Sequence, residues 1–391
     1  MKFTRLLIVA GFAISLPAWA IYAPIPEQQQ GKALTVSLTA GVSHDSNIFG
    51  APTGAIGSTI YSASPKVEFN ASVTNQTFLS AFYQLTLDHF DNRPGDKTLD
   101  SHNAMVRVAH AFTQASTLDL SDTFSIQKNP ESLLAGLPIN SDQSFQRNEA
   151  DGRFSTSLTG KAGLTLKARS VLYRYDNARL GANLDRAENL FGVSGDYAVL
   201  PEMKAVGEYR HQIIAYRQAG ENKDKSSDFG LVGADYNVSK KLTATGRFGF
   251  EDRQRDAERS ETVPYAEISA KYDYVTGSFL SAGYIYTLEE TSNVALYTDT
   301  LVNRFFANVQ HAITAKIAAS GSIDYEPSQL QGRRGLPNVD ETTTRLGVAL
   351  SYLPTKNWII SASYDYDDVS SDDVTREFNR NRVGLTATYT F

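Results

Sequence analysis

The stretch RVGLTATYTF, residues 382–391, decides how the rest of the sequence is read. Val383, Leu385, Ala387, Tyr389 and Phe391 fall on one parity, and Arg382, Gly384, Thr386, Thr388 and Thr390 on the other. A strict period of two describes a β-strand with one apolar and one polar face. The figure recurs upstream. Residues 33–43 set Leu34, Val36, Leu38, Ala40 and Val42 against Thr35, Ser37, Thr39, Gly41 and Ser43, and residues 242–253, 263–274 and 358–367 repeat it. No helical stretch stands out, so the pattern predicts an all-β chain.

Short turns at 74–77, 114–117, 201–203, 240–241, 276–277, 315–316 and 355–357 alternate with longer polar loops. The loops include 92–100, 131–146, 177–185, 219–226, 288–300, 330–340 and 368–375. Short turns at one edge and long loops at the other are the pattern of a bacterial outer-membrane barrel. The expected fold is a transmembrane antiparallel outer-membrane β-barrel of about 18 strands, with both termini periplasmic. A soluble sandwich would need several domains to bury so many one-sided strands. No linker divides the chain, and no repeat of roughly 20–50 residues appears.

Residues 1–20, MKFTRLLIVAGFAISLPAWA, carry Lys2 and Arg5, an apolar run from Leu6 to Leu16, and Ala18-Trp19-Ala20. They read as a secretory signal peptide cleaved after Ala20. The apolar run is shorter than the ~20 residues of a spanning helix. Residues 21–32 then form a short periplasmic lead, and 33–391 a single barrel. With 37 Lys and Arg against 43 Asp and Glu, nothing points to a nucleic-acid partner. The absence of Cys excludes disulfides, thiolate sites and haem attachment. Twenty Tyr and 20 Phe suit strands. In lipid every backbone polar group must be paired internally, so the sheet has to close on itself. The bilayer is thus the first partner, met by the apolar parity.

The polar parity should line a lumen. Its candidates are Arg153, Lys167, Arg169, Glu208, Arg210, Arg247, Glu251, Arg253, Glu267, Lys271, Asp273, Asp324, Arg345, Asp365, Asp367, Arg380 and Arg382. Most such charges pair across neighbouring strands, and a minority near a constriction would set selectivity. Charge reversal at Arg380 and Arg382, or at Asp365 and Asp367, is expected to alter transport without unfolding the barrel. Phe82, Phe90, Tyr173, Tyr265 and Phe306 also fall on the inward parity, where ring faces can stack on sugars. The oddly apolar SLLAGLPIN within 131–146 either folds inward as a gate or covers the rim, the rim being preferred.

No catalytic constellation emerges. The six His are scattered, without H-E-x-x-H spacing, and no G-x-S-x-G occurs. DDVSSDD at 367–373 lacks the Gly turn and closing Glu of a calcium loop. No enzyme, cofactor or metal is expected.

The stretch AGVSHDSNIFG, residues 40–50, resembles the opening of a family of β-barrel porins often encoded in exopolysaccharide operons. The resemblance lies in Gly41, His44, Asp45, Ser46, Asn47, Ile48 and Phe49. A structural role is the favoured alternative for these residues, since Asp and Asn hydrogen-bond their own backbone where a strand becomes a loop. The final strand, with Tyr389 and Phe391, resembles the signal read by the outer-membrane assembly machinery. The family resemblance implies a channel for secreted polysaccharide, closing a polymerase-dependent pathway and served by a periplasmic polysaccharide-export protein. Two other readings stand beside it. A general or solute-specific uptake porin would be favoured by a folded-in constriction loop, and a structural or adhesive barrel by tightly paired interior charges.

Overall fold

The computed structural model describes residues 33–128, 144–217, 223–256, 258–291 and 293–391. The signal peptide and lead expected at 1–32 lie outside the described residues, as does segment 131–146 apart from residues 144–146. The first strands are β1 (Leu34–Asp45), β2 (Ser58–Ser72), β3 (Thr77–Phe90), β4 (Thr98–Ala111), β5 (Ser116–Gln127) and β6 (Phe145–Ser157). Next come β7 (Ala162–Tyr175), β8 (Arg186–Leu200), β9 (Met203–Tyr216), β10 (Lys225–Tyr236), β11 (Leu242–Arg255) and β12 (Glu261–Val275). The last are β13 (Ser278–Glu289), β14 (Tyr297–Ala312), β15 (Ile317–Gly332), β16 (Val339–Tyr352), β17 (Trp358–Ser371) and β18 (Phe378–Thr390).

Each strand pairs antiparallel with its sequence neighbour, and β18 pairs back onto β1, with Ser37 opposite Thr390 and Asp45 opposite Arg382. The N–H of Phe391 donates to the Val36 carbonyl at 2.9 Å, so the seam is bonded to the last residue. The 18 strands, about 4.8 Å apart and tilted about 40°, enclose a backbone cylinder about 35 Å across. Side chains alone cannot fill that width.

Exposure alternates along the strands as the sequence does. In β1 the outward Leu34, Val36, Leu38 and Val42 are exposed. At the short-turn edge, Tyr197, Tyr236, Tyr272, Tyr352 and Trp358 stand outward, and the Trp358 and Tyr389 rings lie 5.0 Å apart. Towards the long-loop edge, outward tyrosines bond polar groups on adjacent strands. Tyr83 pairs with His102, Tyr209 with Asp228, Tyr284 with Asn303 and Tyr364 with Asn381, at 2.5–2.9 Å. An apolar band bounded by aromatic and polar rings is the surface a bilayer requires.

The interior departs from the sequence reading in two ways. A helix exists, α1 (Ala178–Leu184), capped by Asn177, whose Oδ1 accepts from the Arg179 N–H at 2.9 Å. Seven residues are too few to show a period, and burial of Leu184 in tertiary contacts supports the turn. Chain also folds inward at the long-loop edge in places other than 131–146. Ile48 of loop 46–57 packs with Ile60, Phe90 and Leu99 on the inner faces of β2, β3 and β4. Val294, between β13 and β14, is buried with Phe145, Tyr175, Leu184, Ile214 and Tyr216 on the wall formed by β6 to β9.

Candidate functional site

The lumen changes character along its length. Near the short-turn edge, hydroxyl pairs bridge neighbouring strands around the circumference. They are Thr39–Thr388 at 2.8 Å, Ser155–Thr165 at 3.1 Å, Thr245–Ser269 at 2.9 Å and Ser351–Ser361 at 2.8 Å. Ser64–Thr86, at 3.0 Å, lies higher on β2 and β3. These groups are uncharged and satisfied, and each keeps spare acceptor capacity for water. Lys271 and Asp273 form an exposed pair at 3.0 Å at this edge.

Midway, charges from several strands converge. Glu208 takes Lys167 and Arg210 at 2.8 Å, with Arg247 at 3.6 Å. Arg210 also donates to the Tyr265 hydroxyl at 3.0 Å, and Tyr265 donates to Glu267 at 2.9 Å. Arg247 reaches Asp235 at 2.8 Å, and Arg169 reaches Asp151 at 2.7 Å. Across the barrel, Arg382 binds Asp367 at 3.1 Å and faces Asp365 in register. Arg153 and Arg345 differ from these. Among the described residues neither has an ion pair, and the Arg153 Nε has no hydrogen-bond partner. Arg345 stands opposite Asp324, which lies 3.7 Å from Arg304 instead.

At the long-loop edge the charges are buried and held by the inward segment. Asp299, fully buried, receives Lys225 at 3.0 Å, Arg253 at 2.5 Å and Arg255 at 2.6 Å. Glu290 takes Lys225 at 2.9 Å and Arg253 at 3.4 Å, and accepts from the Tyr216 hydroxyl. Glu251 and Ser227 complete the shell of Arg253 at 2.8 and 3.0 Å. Lys225 and Arg253 stand on β10 and β11, whereas Glu290 and Asp299 flank the segment between β13 and β14. The network therefore spans a chord of the barrel and narrows its mouth. The sequence carried a weak signal for this, in an apolar Val294 and Leu296 within a polar loop.

The inward aromatics are mostly taken. The Tyr173 ring carries Arg186 at 4.3 Å and Arg147 at 5.6 Å, and Lys66 stands 4.8 Å over Phe82. Phe90 is sealed in the apolar cluster and Tyr265 in the charge network. Phe306 lies against Gly283, where an added Cβ would fall 2.3 Å from the ring. Open sugar-stacking platforms, expected of these five, are not what their surroundings provide.

The 40–50 motif builds the barrel seam. Asp45 accepts from the Asn47 N–H at 2.9 Å and from the Arg380 Nε at 2.8 Å. Asn47 bonds Ala51 through both ends of its amide at 2.9 Å, and Ser46 accepts from the Asn381 N–H at 2.8 Å. Ile48 is the apolar plug of loop 46–57, with Phe49 packed beside it. Gly41 sits where a Cβ would come 2.9 Å from Thr386, while His44 points outward. Arg380 is buried in this seam and presents no surface to a passing solute.

A closed barrel with an apolar belt outside and a charged, hydroxyl-lined interior defines the class: this is a bacterial outer-membrane β-barrel. Residues 290–391 match a family model described as "Putative beta-barrel porin 2". No curated protein matches the chain. Among solved structures it is similar to Acinetobacter baumannii OccAB3, at 11% identity over 92% of this chain and 99% of that one, with a TM-score of 0.46. The siderophore receptor PirA from Pseudomonas aeruginosa matches at 8% identity over 93% and 81%, with a TM-score of 0.44. A bacterial polysaccharide outer membrane secretin matches at 8% over 91% and 98%, with a TM-score of 0.35.

Proposed function

We propose that this barrel is a passive conduit by which a hydrated carbohydrate polymer leaves the cell. The observation that carries this reading is the ring of hydroxyl pairs around the lumen near the short-turn edge. Sugar hydroxyls can exchange water for such groups at little net change in hydrogen bonding. Many weak, similar sites let a polymer slide where one tight site would hold it. The outward direction rests on the resemblance of residues 40–50 to porins of exopolysaccharide operons. Polymer would arrive from a periplasmic export protein docked on the short turns.

A second reading is a porin for small solutes, favoured by the inward-folded segments at 46–57 and between β13 and β14. A clean in-frame deletion separates the two. The export reading predicts lost secretion with polymer trapped in the periplasm, both restored by the intact gene. Unchanged secretion with slower uptake of a small solute would leave the second reading.

A further inference from the structure

The inner wall of β5 to β7 carries two rows of polar side chains, spaced two residues apart along the strands. The row nearer the short turns is Thr117, Ser155 and Thr165, each in register with the next. All three are hydroxyls, and Ser155 and Thr165 bond each other at 3.1 Å. The row above it is Asp119, Arg153 and Lys167, again in register. Two residues of strand span about 7 Å and neighbouring strands lie about 4.8 Å apart, which is the scale of one sugar ring.

Arg153 is the charge in these rows without a partner among the described residues. Asp119 stands opposite it on β5 but takes two N–H groups of Arg107, at 2.8 and 2.6 Å. Asp151, the next inward residue of β6, takes Arg169 at 2.7 Å. Lys167, opposite on β7, is itself a cation and is held by Glu208 at 2.8 Å. Beyond Lys167 the row continues with Gly192 of β8, which adds no side chain. The Arg153 Nε is buried without a hydrogen bond while the residue as a whole is half-buried, so the guanidinium reaches from the wall into the lumen.

A guanidinium whose neighbouring carboxylates already hold other cations is placed to meet an anion from outside the chain. We propose that Arg153, with the hydroxyls of Ser155 and Thr117 below it, is a subsite for a carboxylated sugar. The inference rests on the carbohydrate reading and adds the class of sugar to it. The sugar carboxylate accepts charge-assisted hydrogen bonds from the guanidinium, whose planar fork matches it. Lys167 adds positive charge beside the site, and ring hydroxyls exchange water for Ser155 and Thr117. The site takes one sugar at a time, so the next along a polymer can replace it and the chain still slides.

Purified barrels in a planar bilayer are exposed to an oligogalacturonate and to a neutral oligosaccharide of equal length. In the unaltered protein the acidic oligomer should interrupt the current about tenfold longer, the worth of one charge-assisted hydrogen bond. Arg153→Gln should shorten its interruptions to the neutral value. Arg334→Gln removes the same charge at the exposed rim and should leave the tenfold difference in place. Heat-modifiable migration confirms the fold of each variant. Equal interruptions by the two oligomers in the unaltered barrel would overturn the inference and leave the carbohydrate reading standing. So would a difference that survives Arg153→Gln, or one that falls equally with Arg334→Gln. A current that neither oligomer interrupts would overturn both.

Discussion

Asp299→Asn is expected to loosen the mouth of the channel and weaken the barrel together. Asp299 is fully buried and answers three cations, Lys225, Arg253 and Arg255, at 2.5–3.0 Å. An amide keeps the shape but removes the charge. Lys225 then keeps Glu290 at 2.9 Å, Arg253 keeps Glu251 at 2.8 Å, and Arg255 has Glu261 at 2.9 Å. Breaking a buried ion cluster costs about 3–5 kcal/mol when a charge is left without compensation, and the three carboxylates that remain place this change at or below the lower end of that range. The same change weakens the hold of β10 and β11 on the start of β14, so the inward segment is left with Glu290 and Val294 as its anchors. Two readouts follow: a lower temperature for the heat-induced shift in electrophoretic migration, and a larger single-channel conductance. Unchanged conductance with unchanged heat resistance would show that the network neither narrows the mouth nor holds the wall.

The second large effect is at the seam. Arg380→Ala should destabilise the barrel by about 3–5 kcal/mol, since it leaves Asp45 buried without its cation. Asp45 sits where β1 becomes loop 46–57 and where β18 closes the sheet, so one lost contact loosens three elements. Arg382→Ala should be milder, because Arg382 itself is only partly buried, although its partner Asp367 is buried. The charge-reversal expectation for these neighbours therefore divides. Reversal at Arg382 tests transport, while reversal at Arg380 tests folding. Equal heat resistance for the two alanine variants would contradict the division.

How much of this was legible in the sequence follows from the physics of each feature. The alternation in RVGLTATYTF is local, set by a backbone that turns successive side chains to opposite faces, so strands and inner or outer parity could be read directly. Pairing is not local. Arg380 and Arg345 look alike in the sequence, yet one is buried against a residue 335 positions away and the other has no ion pair among the described residues. Which arginine meets a carboxylate depends on the stagger between strands, which no single strand encodes. The inward placement of Glu290 and Val294 was missed for the same reason, since their anchors Lys225, Arg253 and Ile214 lie on distant strands. The apolar SLLAGLPIN drew attention because its signal was local.

The central claim is an open, hydroxyl-lined lumen that accepts carbohydrate, and the most direct test is the current through purified barrels in a planar bilayer. The account predicts a conducting channel whose current is interrupted by neutral oligosaccharides, more often as the chains lengthen. A barrel that does not conduct, or one whose current is indifferent to oligosaccharide of any length, would contradict it.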